Sequence, residues 1–225
     1  MKKLIFSLTV LLAAPTAFAN QVLPDGLSVD AQIGTGVMST SLEGDGFAGD
    51  LTSSKARAYG AEIGRNWASG FKLRFKYNYV FSDFDPPATV TPAIVRGSRT
   101  EYMIYGLINP SNEGWLEHLW LGLGYSMLRS EFDESSPAIA TTQVSRGLNL
   151  LGNFDYWFND RWGMSVFGSI YLPHDFSEKK TNTGFNSRYV GFEIAPRAKF
   201  RWREDFYLYT GLRYRRDAVG FDGAG

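Results

Sequence analysis

Two carboxylates and a histidine are the residues whose types and spacing could do chemistry. Asp83 and Asp85 stand two apart, with Pro86 and Pro87 directly after them. On a strand such a pair points the same way, and two close carboxylates can share a proton or hold and activate a water. A histidine on a facing strand could then act as the base. The chain has two histidines. His174, followed by Asp175, falls where a strand enters a long connection. His118 lies by a turn with no acid or hydroxyl at a supporting spacing, and reads as an interfacial polar residue. There is no cysteine, hence no disulfide, thiolate metal site or cysteine nucleophile. No nucleophile elbow, phosphate-binding glycine loop or zinc-protease helix is present, and Glu43, Asp45 and Asp50 lack calcium-loop spacing. Neither a cofactor nor a metal is expected.

The elements that must carry these groups alternate with period two. In 27–37, Leu27, Val29, Ala31, Ile33 and Val37 share one face, and Ser28, Asp30, Gln32, Gly34 and Gly36 the other. In 71–81, Phe71, Leu73, Phe75, Tyr77, Tyr79 and Phe81 oppose Lys72, Arg74, Lys76 and Asn78. A strand that is apolar on one side and multiply charged on the other separates lipid from a polar lumen. The same pattern predicts further strands at 55–67, 118–132, 143–158, 162–172, 188–202 and 206–216, and one at 99–108 whose phase is ambiguous. The fold class is thus all-β, a transmembrane antiparallel up-and-down barrel. No segment after the first residues approaches the roughly 20 apolar residues a spanning helix needs.

Trp67, Phe71, Trp115, Trp157, Phe158, Trp162, Trp202 and Phe206 sit beside the short connections near 68–70, 109–117, 159–161 and 203–205. Amphipathic rings favour the lipid–water boundary. The connections at 42–54, 85–98, 133–142 and 173–187 are longer and rich in Gly, Pro, Ser, Thr and Asp. Outer-membrane barrels have short periplasmic turns and long external loops. This places the aromatic-flanked turns in the periplasm and Asp83, Asp85 and His174 at the extracellular rim. At the N-terminus, Lys2 and Lys3, the apolar 4–14 and Ala17-Phe18-Ala19 have the form of a secretory signal cleaved before Asn20. Residues 1–19 are therefore read as a signal and 20–225 as the barrel domain, in the outer membrane of a Gram-negative bacterium. Nine strands leave an unpaired edge, and such barrels use an even number. The expectation is ten strands with the last missing from a C-terminally incomplete chain, or eight if 99–108 is not a strand.

Inward positions mix Lys72, Arg74, Lys76, Arg197, Lys199, Arg201, Arg213 and Arg215 with Asp30, Glu62, Asp155 and Glu193, and Glu101 joins the acids. Confined charges must be paired or hydrated. They form either an ion-pair plug or a narrow passage attracting anions, and inward glycines favour the plug by making room for long side chains. The chain carries 23 basic and 23 acidic residues, and removal of Lys2 and Lys3 leaves an acidic excess of two. Nucleic acid is not an expected partner. Expected partners are outer-membrane lipid including lipopolysaccharide and, during biogenesis, the secretion and barrel-assembly machineries; the protein is expected to be a monomer.

Strand count, the long connections at 85–98 and 173–187, and the positions of Asp83, Asp85 and His174 resemble the omptins. That family implies a ten-stranded outer-membrane protease with an Asp pair on one wall of an external groove and an Asp-His pair on the other, flanking a water. Where the family has its second Asp, two residues before the histidine, this chain has Leu172. Strand phase also points Asp83 and Asp85 outward with Tyr79 and Phe81, and His174 outward with Ile170 and Leu172. A bulge or a break at the prolines is needed to turn them in. The residues therefore read as an integral outer-membrane barrel with a non-catalytic surface, structural or limited-passage, porin-like role. The alternative is an omptin-like endopeptidase using Asp83, Asp85 and His174.

Overall fold

The computed structural model of the protein describes residues 5–12, 17–23, 26–44, 47–67, 70–84, 95–111, 113–133, 141–178, 187–204 and 206–221. They form one antiparallel sheet of β1 (Ile5–Leu12), β2 (Ala17–Leu23), β3 (Leu27–Gly44), β4 (Phe47–Trp67), β5 (Phe71–Phe84), β6 (Val95–Ile108), β7 (Leu119–Asp133), β8 (Thr141–Trp157), β9 (Trp162–Glu178), β10 (Ser187–Arg203), β11 (Phe206–Gly211) and β12 (Arg213–Phe221). One 3-10 turn, Gly114–His118, links β6 to β7. Each of the nine strands expected from alternation is present.

β11 and β12 are one strand with a single interruption. Both keep the same register against β10, and Leu212 between them faces Pro196. The Leu212 N–H donates to the Pro196 carbonyl at 3.0 Å. Proline has no N–H to return the bond, so the ladder lapses at that pair.

β3 to β10 pair in sequence, and β10 pairs with β11 and β12. β1 pairs with β12 and β3, and β2 with β11 and β3, so these two short strands together fill a tenth place and close the ring. The ten-place count holds and the eight-strand alternative does not, since 95–108 is a full strand paired on both sides. The tenth place is taken by segments that the sequence assigns to a leader and the residues just after it. The long connection expected at 42–54 is instead a continued hairpin, with β3 and β4 paired out to Gly44 and Phe47. The stretches 85–94, 134–140 and 179–186 lie outside the described residues.

The sheet is apolar outside and polar inside. Ile33, Ile63, Ile104, Ile108, Leu123, Leu148 and Ile170 are each more than half exposed. Lys76, Arg99, Glu101, Glu193, Arg215 and Asp217 are each at most 4 % exposed. A water-soluble barrel would invert this arrangement, and a membrane-spanning one requires it. Among the described residues no helix is long and apolar enough to cross a membrane; the crossing is made by strands, whose backbone groups are satisfied between neighbours.

Lysine in place of Ile104, an outward residue in the middle of β6, is expected to lower folding stability in bilayers by about 2–4 kcal/mol. Urea unfolding in vesicles measures this. A loss below about 0.5 kcal/mol, the range of an ordinary surface substitution, would place Ile104 away from lipid.

Candidate functional site

The lumen is bolted by ion pairs between opposite walls. Counting round the ten places, β5 and β10 are five apart, as are β6 and the β11–β12 strand. Lys76 on β5 reaches Glu193 on β10 at 3.0 Å, and Arg215 on β12 reaches Glu101 on β6 at 3.0 Å. Arg99 on β6 pairs with Asp217 on β12. Sequence separations of 117, 114 and 118 residues become diameters of the barrel.

Further bonds knit these pairs together. Arg213 lies 3.2 Å from Glu193, and Arg215 3.7 Å from Glu193 and 3.5 Å from Asp217. The Tyr171 hydroxyl donates to Glu101 at 2.6 Å, and Asn78 Nδ2 to the same carboxylate at 2.8 Å. The Tyr189 hydroxyl accepts from Arg99 and Arg215, each at 2.7 Å, and donates to Asp217 at 2.7 Å. Arg215 also lies over the Tyr171 ring, 4.2 Å from its centroid. Beside this network Met103, Leu107, Leu128, Leu151 and Phe167 make an apolar cluster inside the barrel. Charges and hydrocarbon together fill the middle of the lumen.

Toward the end with the short turns the packing opens. A cavity of about 110 Å³ is lined by Lys72, Arg74, Lys76, Arg197 and Lys199 and by the carboxylates of Asp30, Glu62 and Asp155. Arg74 pairs with Glu62 at 3.3 Å, and Lys199 with Asp155. The Lys72 ammonium instead lies 3.5 Å from the centroid of Trp120. Lys199 and Arg201 both lie over Trp157, at 4.1 and 4.6 Å.

Asp30, Glu62, Lys72, Arg74, Lys76, Glu193, Arg197, Lys199, Arg201, Arg213 and Arg215 all occupy inner-face positions, and Glu101 is with them. Sequence reasoning missed Arg99, Asp217, Tyr171 and Tyr189. The ambiguous phase of 99–108 hid Arg99, because the inner face of β6 carries Met103, Tyr105 and Leu107 and contrasts little with its outer face. Trp67, Trp115, Phe158, Trp162 and Trp202 are exposed on the outside, and Phe71 packs on Trp67 with ring centroids 5.3 Å apart. Phe206 is half-buried at the same end. Trp157 departs from the expectation. It shares the inner phase of Leu151, Asn153 and Asp155, and stacks toward Tyr207 at 5.5 Å.

Asp83 and His174 are not brought together. Asp83 keeps the outward phase and pairs with Arg96 at 3.4 Å, both side chains well exposed (63 % and 76 %). Asp85 lies outside the described residues. His174 faces the lumen, against its strand phase. Between Tyr171 and His174, β9 carries one residue more than β10 carries between Gly191 and Tyr189. This bulge at Leu172-Pro173 throws both residues outward and the histidine inward. There Nε2 lies 3.1 Å from the Leu148 carbonyl and 3.0 Å from Asn149 Oδ1, and Nδ1 3.1 Å from Ser145 Oγ. Two carbonyl-type acceptors at Nε2 require its proton there, so Nδ1 accepts from the serine. Every polar atom of the ring is satisfied within the protein wall. Among the described residues no group of three or more acids and histidines could hold a metal ion.

No protein-family model matches the chain, and no curated protein does. Solved structures similar to it include the outer-membrane protein OprG from Pseudomonas aeruginosa (10 % identity, 97 % of this chain and 96 % of that one, TM-score 0.38). The translocator domain of autotransporter NalP from Neisseria meningitidis is another (12 %, 99 % and 89 %, 0.36). The outer-membrane protease OmpT from Escherichia coli is a third (8 %, 97 % and 96 %, 0.32). Identities of this size transfer no residue role.

Glu101→Ala removes one of the two buried carboxylates that Arg215 and Lys76 share, the one Arg215 approaches most closely, and is expected to cost about 3–5 kcal/mol of stability. Asp83→Ala breaks an exposed pair and is expected to cost less than about 1 kcal/mol. Equal losses in urea unfolding would contradict the plugged lumen.

Proposed function

We propose that the protein is an integral outer-membrane β-barrel that acts through its surface and external loops, with a lumen closed to solutes. The observation that carries this reading is the set of diametral pairs, Lys76 with Glu193, Arg215 with Glu101 and Arg99 with Asp217. Pairs that reach from wall to wall, with the apolar cluster of Met103, Leu107, Leu128, Leu151 and Phe167 beside them, support a closed lumen. The placement of Asp83 on the lipid side and of His174 among Ser145, Leu148 and Asn149 supports a non-catalytic role over the omptin-like one. The short turns are assigned to the periplasm and the opposite end to the cell exterior.

Lipid is the partner best supported. On the outer face, toward the exterior end, Arg57, Arg96, Arg129, Arg146, Arg188 and Arg216 are all exposed. They stand just beyond the apolar band, where arginine meets phosphate-bearing headgroups bidentately. Arg146→Glu with Arg188→Glu is expected to reduce the lipopolysaccharide retained through detergent purification; unchanged retention counts against this assignment.

The closed lumen is tested in planar bilayers. The reconstituted protein is expected to give no step conductance and, with lipopolysaccharide, no cleavage of basic peptides. Discrete channel openings in the unmodified protein would overturn the closed lumen. Peptide cleavage lost on His174→Ala would restore the endopeptidase reading.

A further inference from the structure

The cavity at the turn end has chemistry that a plug does not need. Five cations line it against three carboxylates. Lys76 gives its charge to Glu193, beyond the cavity, while Arg201 stands over the same indole as Lys199. The cavity region therefore keeps a surplus of two positive charges. Lys72 and Arg201 have no ion pair among the described residues. Their charged groups rest on the faces of Trp120 and of Trp157 and Tyr207. Lys199 pairs with Asp155 and shares the Trp157 ring with Arg201, which lies 4.6 Å from the same centroid. Lys72 is on β5 and Lys199 on β10, again opposite walls, so two mutually repelling cations face one another across the space.

We propose that this cavity binds a small doubly charged oxyanion, of the size and charge of hydrogen phosphate, with Lys72 and Lys199 of its lining as recognition groups and Arg201, beside Lys199 over Trp157, adding charge from outside the lining. The charge of the ligand follows from the surplus, and its size from the volume of about 110 Å³. A resting cation–π contact is weaker than most charge-assisted hydrogen bonds to an oxyanion. An arriving dianion would draw the ammonium groups off the indoles and relieve their repulsion. The ring of strands keeps lipid headgroups out, so the ligand is a free ion entering from the turn end. The network of Glu101, Glu193, Arg215 and Asp217 stops it from going further. This makes the site a terminal pocket, and to that extent it rests on the closed lumen.

The test is calorimetric titration of inorganic phosphate into the refolded protein in a maltoside detergent, against sodium chloride of equal ionic strength. Saturable one-to-one binding is expected, with quenching or a shift of indole fluorescence. Lys72→Gln with Lys199→Gln is expected to weaken binding about tenfold or more. Arg65→Gln, exposed on the outer face beside Trp67, is expected to leave it unchanged. Lys72→Met keeps the apolar stem over Trp120 and serves as a second variant, with heat-modifiable migration on gels reporting folding. Overturning results are no saturable binding in the unmodified protein, equal binding of phosphate and chloride, or folded Lys72 variants that bind as the parent does. Channel openings together with intact phosphate binding would overturn the closed lumen and leave the pocket standing; silence in bilayers without binding would do the reverse.

Discussion

A charge brought inside a narrow ring of strands must find an opposite charge across that ring. An unpaired ion in a medium of low polarity is penalised by several kcal/mol, while a paired and hydrogen-bonded one is tolerated. Ten strands make a lumen narrow enough for long side chains from opposite walls to meet. Glu101 shows what the constraint demands. It lies beneath the surface with Arg215 at 3.0 Å, Lys76 at 3.9 Å, and donors from Tyr171 and Asn78. Lys76 and Asn78 come from the adjacent strand, whereas Tyr171 and Arg215 come from far along the chain. The carboxylate is stable only if the ring closes with β12 facing β6, so the pairing and the topology specify each other.

The same constraint explains the small residues inside. A Cβ on Gly64 would collide with the side chain of Arg74, and one on Gly147 with the ring of His174. Long inward groups need room to lie along the wall before they cross the lumen, and glycine on the neighbouring strand supplies it. Arg74 can then lean to Glu62, whose other oxygen accepts from Tyr105 at 2.8 Å. Between the polar groups, the inner faces of β6 to β9 also carry Met103, Leu107, Leu128, Leu151 and Phe167, which need no partner. The ion pairs that cross the lumen join β5 to β10 and β6 to β12.

Alternation made most of this architecture legible. In 71–81 and 188–202 each polar residue falls between apolar ones, and both strands have the faces so assigned. Three features were not legible, each for a physical reason. The inner face of β6 carries Met103, Tyr105 and Leu107 and contrasts little with its outer face, so no period-two contrast marks Arg99 as inward. The phase of His174 depends on a bulge, and a proline within a strand signals that a bulge is allowed without saying where the extra residue goes. The pairing of Arg99 with Asp217 spans 118 residues and exists only once the ring is closed. Turn-side tryptophans mark the interface when they share the outward phase. Trp157 has the inward one, and proximity to a turn concealed it.

The arginines divide by face, and each face stabilises them differently. Those inside (Arg74, Arg99, Arg213, Arg215) have carboxylates within 3.5 Å and serve the wall-to-wall network. Those outside stand at both ends of the apolar band, with Arg65, Arg161 and Arg203 beside the tryptophan-flanked turns and Arg57, Arg96, Arg129, Arg146, Arg188 and Arg216 toward the other end; among the described residues, Arg96 and Arg129 pair with Asp83 and Glu131. An arginine exposed beside hydrocarbon is stable only where its guanidinium reaches water or a headgroup. The two ends of the apolar band thus differ in their rings more than in their arginines: among the described residues the exposed tryptophans stand at the short-turn end alone, where an indole meets the lipid–water boundary.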